Sequence, residues 1–481
     1  MKTDTIAAIA TAMSDSGIGI IRVSGDDAVM IVDKIYRNSG QKRILTTYAT
    51  HTIHYGFIIE EEDESVIDEV MVTVMKAPRS YTTEDTVEIN CHGGILMMRK
   101  ILDTVLKAGA RIAEPGEFTK RAFLNGRIDL SRAEAVMDLI QARNEFALQS
   151  SVKQLKGSVS DKIKSLREDI LYEIAFIESA LDDPEHISLD GYHDRLSEKT
   201  EYIMQELNGL LDSADDGRIL KEGINTVIVG KPNAGKSSLL NILVGEEKAI
   251  VTDIAGTTRD TLEEVITIGG ITLNIVDTAG IRSTEDIVEK IGVDRAKKIS
   301  ESADLILYVV DSSLPLDEND YEIVKMIRNK NAIILLNKSD LDEVVGENAI
   351  RNLIEETGSA VSENINKNIN ENMNLNISMI RTSTKTDSGI EDLINTVKEM
   401  FFHGKLSYND QVYITNMRHK EAIRDARDSM LQVERSLEMD MPEDFYSIDL
   451  MSAYASLGSI IGEEVGDDLV NEIFSRFCMG K

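Results

Sequence analysis

The stretch Gly230-Lys231-Pro232-Asn233-Ala234-Gly235-Lys236-Ser237 decides how the chain is read. It fits GxxxxGK[ST], follows the apolar run Thr226-Val227-Ile228-Val229, and leads into Ser238-Leu239-Leu240-Asn241-Ile242-Leu243, which opens like a helix. Strand, glycine-bearing turn and helix in that order are the context in which this spacing cradles a polyphosphate. Glycines let the backbone aim its N–H groups at phosphate oxygens, and the helix N-terminus adds favourable potential. Lys236 then reaches the β- and γ-phosphates, the Ser237 hydroxyl is placed for magnesium, and Asn233, Ala234, Gly235 and Ser238 complete the loop.

Three further motifs select the base and sense the γ-phosphate. Asn337-Lys338-Ser339-Asp340 follows the apolar run Ala332 to Leu336. A carboxylate at Asp340 accepts from N1–H and N2–H of guanine, a pair adenine does not offer, so GTP is expected over ATP. Asp277-Thr278-Ala279-Gly280 ends the strand pattern Thr272 to Val276 and supplies an acidic group behind magnesium and a glycine amide for the γ-phosphate. Between the phosphate loop and Asp277 the stretch Gly256-Thr257-Thr258-Arg259-Asp260 offers a threonine to complete the magnesium shell. Each tetrapeptide alone is weak; in this order, each at the end of a strand pattern, they describe a guanine-nucleotide switch domain.

At 481 residues the chain exceeds one core, and a length prior gives about three domains. Lysine plus arginine number 52 against 84 aspartate plus glutamate, a net charge of −32. Such a surface cannot grip nucleic acid broadly, because phosphate binding requires positive side chains; an RNA role calls for a partner or a small basic region, and DNA is not expected. The cysteines Cys91 and Cys478 build no disulfide framework and point to a reducing compartment. The segment Met1 to Thr5 has no signal-peptide pattern, and no apolar run reaches the roughly 18 to 20 residues of a membrane span. A soluble, cytoplasmic protein without a membrane partner is expected.

In chain order, Gly17 to Val23, Thr52 to Ile59, Val66 to Met75 and Thr86 to Cys91 read as strands, with Asp26 to Ile35 and Ile95 to Lys107 as helices. This predicts an α+β domain over residues 1–118. Arg22, Glu84, Glu88 and His92 lie among its strands, and by periodicity alone each fits a solvated face. A helical domain is expected over 119–217, with an apolar ladder from Val152 to Leu181 weakened in propensity at Gly157, a stop at Asp182-Asp183-Pro184-Glu185, and a second helix from Tyr192 to Leu211. The nucleotide domain follows over 218–402, its strands near Thr226, Glu263, Thr272, Leu305, Ala332 and Ile377 alternating with helices as in a doubly covered α/β sheet. Residues Asn364 to Asn376 read as an asparagine-rich low-complexity insertion. Over 403–481 two apolar stripes, Ile414 to Leu437 and Leu450 to Phe477, return to helix. These flanking helices either close one bundle, with the nucleotide domain inserted in it, or form two separate pieces.

Hydrolysis needs a group the usual motif does not supply here. Where Ras-like enzymes place a water-orienting glutamine just after DxxG, this chain has Ile281 and then Arg282. Glu289 in Ile287-Val288-Glu289-Lys290 is the nearby candidate for orienting water; the bland reading is a surface glutamate. Charge between the β- and γ-phosphates must also be met, a task for which an arginine finger is worth about 10³ to 10⁵ in rate. The Asn233 amide oxygen could hold a monovalent cation at that place, with backbone carbonyls near Thr252 and Ile254 in Ala249-Ile250-Val251-Thr252-Asp253-Ile254-Ala255 completing its shell. Potassium-dependent activity is the expectation.

Outside the nucleotide motifs the chain resembles one family almost throughout. Asp4-Thr5-Ile6-Ala7-Ala8, Gly19-Ile20-Ile21-Arg22-Val23-Ser24-Gly25, Tyr81-Thr82-Thr83-Glu84-Asp85-Thr86-Val87-Glu88-Ile89-Asn90-Cys91-His92-Gly93-Gly94, Pro115-Gly116-Glu117-Phe118-Thr119-Lys120-Arg121-Ala122-Phe123-Leu124-Asn125-Gly126 and Phe477-Cys478-Met479-Gly480-Lys481 look like the MnmE (TrmE) family of tRNA modification GTPases. The resemblance implies a multidomain fold: an α+β N-terminal tetrahydrofolate-binding and dimerising domain, a discontinuous all-α helical domain, and an inserted α/β Ras-like P-loop GTPase domain. It implies a homodimer that joins the FAD enzyme MnmG (GidA) in a heterotetramer, FAD entering only through that partner. Together they would add a carboxymethylaminomethyl or aminomethyl group at C5 of the wobble uridine of certain tRNAs, using 5,10-methylene- or 5-formyl-tetrahydrofolate. By motif position Asn233, Thr252, Ile254 and Thr257 become potassium ligands, Ser237 and Thr258 magnesium ligands, and Glu289 the water-positioning residue. Arg22, Glu88, Arg127 and Lys481 fall on folate-binding positions, and Cys478 on a cysteine needed for modification, where a thiolate could act as nucleophile or acid/base.

Departures from the family pattern are local. Thr83 replaces the glycine usual before Glu84-Asp85, and Ser383-Thr384-Lys385 stands where Ser-Ala-Lys or Ser-Ala-Arg is common in the guanine-contact loop. A rival reading, a regulatory GTPase that binds ribosomal RNA, predicts a basic RNA-binding module beside the nucleotide domain, which the acidic balance disfavours.

Overall fold

A computed structural model of the chain describes residues 4–183, 185–246, 264–276, 303–328, 330–359, 377–402, 412–463, 465–478 and 480. In chain order the first elements are β1 (Ile6–Ile9), β2 (Ser16–Ser24), α1 (Ala28–Ile35), β3 (Tyr36–Asn38), β4 (Thr52–Ile59), β5 (Val66–Met75), β6 (Thr86–Gly93), α2 (Ile95–Lys107) and β7 (Arg111–Ile112). There follow α3 (Glu117–Leu124), α4 (Leu130–Gln141), α5 (Glu145–Lys156), α6 (Ser158–Asp182) and α7 (Tyr192–Glu222). Next come β8 (Ile224–Val229), α8 (Lys236–Glu246), β9 (Glu264–Ile268), β10 (Ile271–Ile275), β11 (Leu305–Asp311), α9 (Glu318–Ile327), β12 (Ala332–Asn337), α10 (Glu347–Ser359), β13 (Ile377–Arg381) and α11 (Ile390–Phe402). The last are α12 (Met417–Glu438), α13 (Glu443–Ile461) and α14 (Asp467–Ser475). Two compact units result: Met1–Ile140 with Val152–Met204 and Ala422–Lys481, and Gln141–Ser151 with Gln205–Glu421.

In the first unit seven strands form one sheet in the order β3-β4-β5-β6-β2-β1-β7. Its inward residues, among them Ile21, Val72, Val74, Val87 and Ile89, are buried under α1 and α2 through Val32, Ile35, Met98 and Ile101. Period-two alternation then turns Arg22, Glu88, Met71 and Tyr55 to the other face. The same unit joins helices from both sides of the nucleotide domain. The Arg167 guanidinium on α6 lies over the Tyr454 ring of α13, donates to the Tyr454 carbonyl, and pairs with Glu463. Ser447 Oγ of α13 donates to Glu178 Oε1 at 2.8 Å, and His193 Nε2 on α7 bonds the Leu437 carbonyl of α12 at 2.9 Å. The helical domain is therefore discontinuous and the nucleotide domain is inserted within it.

The ladder expected from Val152 to Leu181 is two helices. Gly157 takes φ of +110°, a left-handed backbone that a side chain resists, and its N–H bonds back to Gln154 O at 2.9 Å, closing α5 before α6 begins. An added Cβ there would meet Arg132 Nη2 at 2.2 Å, a contact the long arginine side chain can relieve by moving, so it is the backbone that selects glycine. The helix expected to end at Leu211 continues to Glu222, where Gly223 at φ +88° stops it. Pro184 lies outside the described residues.

In the second unit six strands run in the order β13-β12-β11-β8-β10-β9, parallel except for β9. Both faces are covered, since Ile224, Ile228, Leu305 and Leu307 enter one apolar cluster and Val227, Val229, Ile306 and Tyr308 the other. Near-continuous apolar strands are the mark of such a sheet. The loops after β8, β12 and β13 leave from the same carboxyl edge, where open α/β sheets bind ligands. No helix among the described residues is long and apolar enough to cross a membrane.

Candidate nucleotide and folate sites

The phosphate loop leaves β8 through Gly230 at φ +150°, where an added Cβ would meet Val309 O at 2.3 Å. Asn233 follows at φ +60°, a left-handed conformation asparagine accepts more readily than most residues, and it is exposed. Gly235 at φ +107° is needed for a different reason: a Cβ would meet Asn337 Nδ2 at 2.1 Å. Lys236 Nζ donates to Gly230 O at 2.6 Å and Lys231 O at 2.7 Å, and burial pushes its ammonium below the ordinary lysine range. Ser237 and Ser238 are exposed in the first turn of α8.

Asn337 binds this loop to the loop after β13. Its side chain is buried at the end of β12, Nδ2 donates to Ala234 O at 2.8 Å, and Oδ1 accepts from Thr384 N at 3.1 Å. Removing it would leave two polar groups without their partner, each worth about 1 to 3 kcal/mol when buried. The motif reading gave a task to Asp340 and none to Asn337. Ser383 Oγ donates to Asp340 Oδ1 at 2.7 Å and holds the Asp340 carboxyl below its usual range, so it is ionised at neutral pH. Lys385 Nζ lies 4.0 Å from Asp340 Oδ2, and Lys338, at φ +61°, pairs with Asp311 at the end of β11. Thr384, the departure from the family pattern, uses its backbone N–H for the Asn337 contact, an interaction any residue can make. Asn233, Ala234, Gly235, Lys236, Ser237, Ser238, Asn337, Lys338, Asp340, Ser383, Thr384 and Lys385 thus belong to loops at one edge of one sheet. Thr252, Asp253, Ile254, Ala255, Gly256, Thr257, Thr258, Asp277, Thr278, Ala279, Gly280 and Glu289 lie outside the described residues.

A second constellation forms on the first unit. Arg22 and Glu88 are cross-strand partners on β2 and β6, with Arg22 Nη2 2.8 Å from Glu88 Oε1 and Arg22 Nε donating to the same oxygen at 2.9 Å. Arg22 Nη1 also donates to Gly480 O at 3.2 Å. The Tyr81 ring has the Arg127 guanidinium 4.7 Å and the Arg22 guanidinium 5.5 Å from its centroid. Cys478 is held on both sides: Phe477 is buried against Phe474, and Gly480 at φ +86° comes so close to β1 that a Cβ would meet Ile9 O at 2.4 Å. Its own carbonyl accepts from Gly116 N at 3.3 Å while the residue stays exposed. Arg22, Glu88, Arg127 and the Cys478 segment are therefore brought together, with Tyr81 a participant sequence reasoning did not single out; Lys481 lies outside the described residues. Thr83 keeps the left-handed backbone, at φ +64°, that the family's glycine favours.

Two family models match: the GTP-binding protein TrmE N-terminus over residues 5–127 and the MnmE helical domain over residues 130–478. Three curated relatives named tRNA modification GTPase MnmE align along the chain. That of Lachnoclostridium phytofermentans is 55% identical over 481 residues, 100% of both chains. That of Alkaliphilus oremlandii is 45% identical over 478 residues, 99% of both, and that of Staphylococcus aureus strain Newman 44% over 482 residues, 100% of both. Among solved structures, the G domain of the T. maritima FeoB iron transporter is 26% identical over 37% of this chain and 98% of its own, with a TM-score of 0.24. Identity of this degree over the whole of both chains, together with the two domain models, places the chain in the MnmE (TrmE) family of tRNA modification GTPases.

Proposed function

We propose that the chain is a potassium-activated GTP hydrolase that, as a homodimer and with an FAD enzyme of the MnmG (GidA) kind, installs a carboxymethylaminomethyl or aminomethyl group at C5 of the wobble uridine of tRNA. The observation that carries the nucleotide half is Asn337, whose one amide ties the phosphate loop to the loop after β13, so that phosphate and base readers form one cradle. Ser237 offers a hydroxyl to magnesium, and the exposed Asn233 offers its amide oxygen to potassium, which would supply positive charge beside the β- and γ-phosphates.

The folate half draws support from the donor set around Tyr81. A carboxylate paired with Arg22 can receive the amino-pyrimidine edge of a pterin, an aromatic ring flanked by two guanidinium groups can stack on it, and the arginines can meet an anionic tail. When bound, the tetrahydrofolate would supply the one-carbon unit. Self-association draws support from the sheet face opposite α1 and α2, where Ile18, Ile53, Tyr55 and Met71 are 63%, 61%, 48% and 51% exposed. A second copy is the occupant such a face suits.

Incubating the purified chain with the FAD partner, transcript tRNA, GTP, potassium and 5,10-methylene-tetrahydrofolate should yield modified uridine at position 34, read by nucleoside mass spectrometry. GTP turnover with unmodified uridine would refute the coupled reading. Separately, turnover should be at least about tenfold faster in potassium than in sodium, and Asn233→Ala should erase that difference, since the cation stands in for a finger worth far more than a factor of ten. Equal rates in the two salts would remove the cation from the mechanism.

A further inference from the structure

The phosphate loop contains a second lysine to which the motif gives no task. Lys231 Nζ donates to Asp320 Oδ2 at 2.7 Å, Asp317 Oδ2 at 3.2 Å and Pro315 O at 3.3 Å, so each ammonium hydrogen has an acceptor on the segment entering α9. Asp320 is 1% exposed and Lys231 14%. The buried carboxylate also accepts from the Tyr308 hydroxyl at 2.7 Å and from Asp317 N at 2.8 Å, the latter closing a capping box at the start of α9. On its backbone side Lys231 faces the phosphate chemistry: its carbonyl accepts from Lys236 Nζ at 2.7 Å and from Ala234 N at 3.3 Å. One residue is thus anchored to a buried carboxylate by its side chain and to the phosphate-binding lysine by its main chain.

We infer that Lys231 is a positioning residue for GTP: through its buried pair with Asp320 it sets the backbone of Gly230 and Lys231, and thereby where Lys236 and the loop N–H groups meet the phosphates. The inference rests on the reading of this loop as a nucleotide site and deepens it. The same loop between β11 and α9 begins with Asp311, which pairs with Lys338, and Ser312, whose Oγ donates to Asn337 O at 2.7 Å. It therefore holds one lysine from the phosphate motif and one from the guanine motif.

A buried ion pair can serve the fold alone, and a paired substitution separates the two roles. Breaking a buried pair strands a charge, whereas replacing both members is often neutral for stability. Lys231→Met, Asp320→Asn, the double variant and Lys231→Arg are made in the full chain, with thermal unfolding, fluorescent-GDP affinity, and kcat and KM for GTP measured. Lys231→Met should melt earlier and the double variant should recover most of that loss, since asparagine can still accept from Asp317 N and donate to the Tyr308 oxygen. The double variant should nonetheless bind GDP about tenfold more weakly and raise KM by a similar factor with little change in kcat, the signature of lost ground-state binding. Lys231→Arg should restore most of the affinity. A double variant that binds GDP as tightly as the unaltered chain overturns the role of Lys231, whereas an unaltered chain that does not bind GDP overturns the site reading beneath it.

Discussion

Replacing Lys236 with alanine is expected to lower kcat/KM for GTP by about 10² to 10³, the loss seen when one preorganised donor to developing negative charge is removed. The ammonium lies inside the loop, on the carbonyls of Gly230 and Lys231, within a turn whose N–H groups would meet a polyphosphate. The fold should survive the change. Burial depresses the Lys236 pKa, so the unfolded chain binds the proton more tightly than the folded one. A lysine shifted in that direction costs stability at every pH below its folded pKa, and the cost fades as pH rises toward the unfolded value. Alanine removes a desolvated charge, and the Lys231 carbonyl keeps the Ala234 N–H as a partner, so unfolding measured without nucleotide should occur at the same temperature or higher. GTP turnover within threefold of the unaltered chain would show that this loop does not handle the phosphates.

What could be read from residues alone follows a physical line. Strands β2, β4, β5 and β6 announce themselves because one face of their sheet is buried and each, at eight to ten residues, is long enough for alternation to register. The strands β1, β3 and β7, of four, three and two residues, are too short to establish a period. The phosphate loop was legible because its chemistry is local, a few residues between a strand and a helix. Asn337 as a brace and Lys231 as an anchor were not, because their partners lie 103 and 89 positions away and only the sheet brings them near. A local signal did exist for the second: Asp317 and Asp320 stand at capping-box spacing just before an apolar helix face. Gly157 shows the reverse error, an apolar period that continues through a break because periodicity reports which face is buried and says nothing about φ.

Changing Asp340 to asparagine is expected to move base preference from guanine to xanthine. The carboxylate accepts from Ser383 Oγ through Oδ1, which keeps it ionised and leaves its other oxygen, Oδ2, for a base. An asparagine can keep the Ser383 bond by accepting through its own oxygen, and this turns its NH2 group toward the base. N1–H is common to guanine and xanthine, but guanine also presents its N2 hydrogens to another donor, and both sides lose their partner on burial. A site built around such hydrogen bonds rejects a mismatched ligand by about 10⁴, so kcat/KM for GTP should fall by roughly that factor. Xanthine carries a carbonyl oxygen where guanine has its amino group, and the amide can donate to it. XTP should therefore overtake GTP as substrate and support tRNA modification in its place, with ATP remaining poor for both forms. Because Lys236, Asn233 and Ser237 are untouched, kcat for XTP in the variant should approach kcat for GTP in the unaltered chain. If the variant loses GTP turnover without gaining XTP turnover, Asp340 supports the loop and some other group reads the base; if it still prefers GTP, the edge of β12 is not where guanine binds.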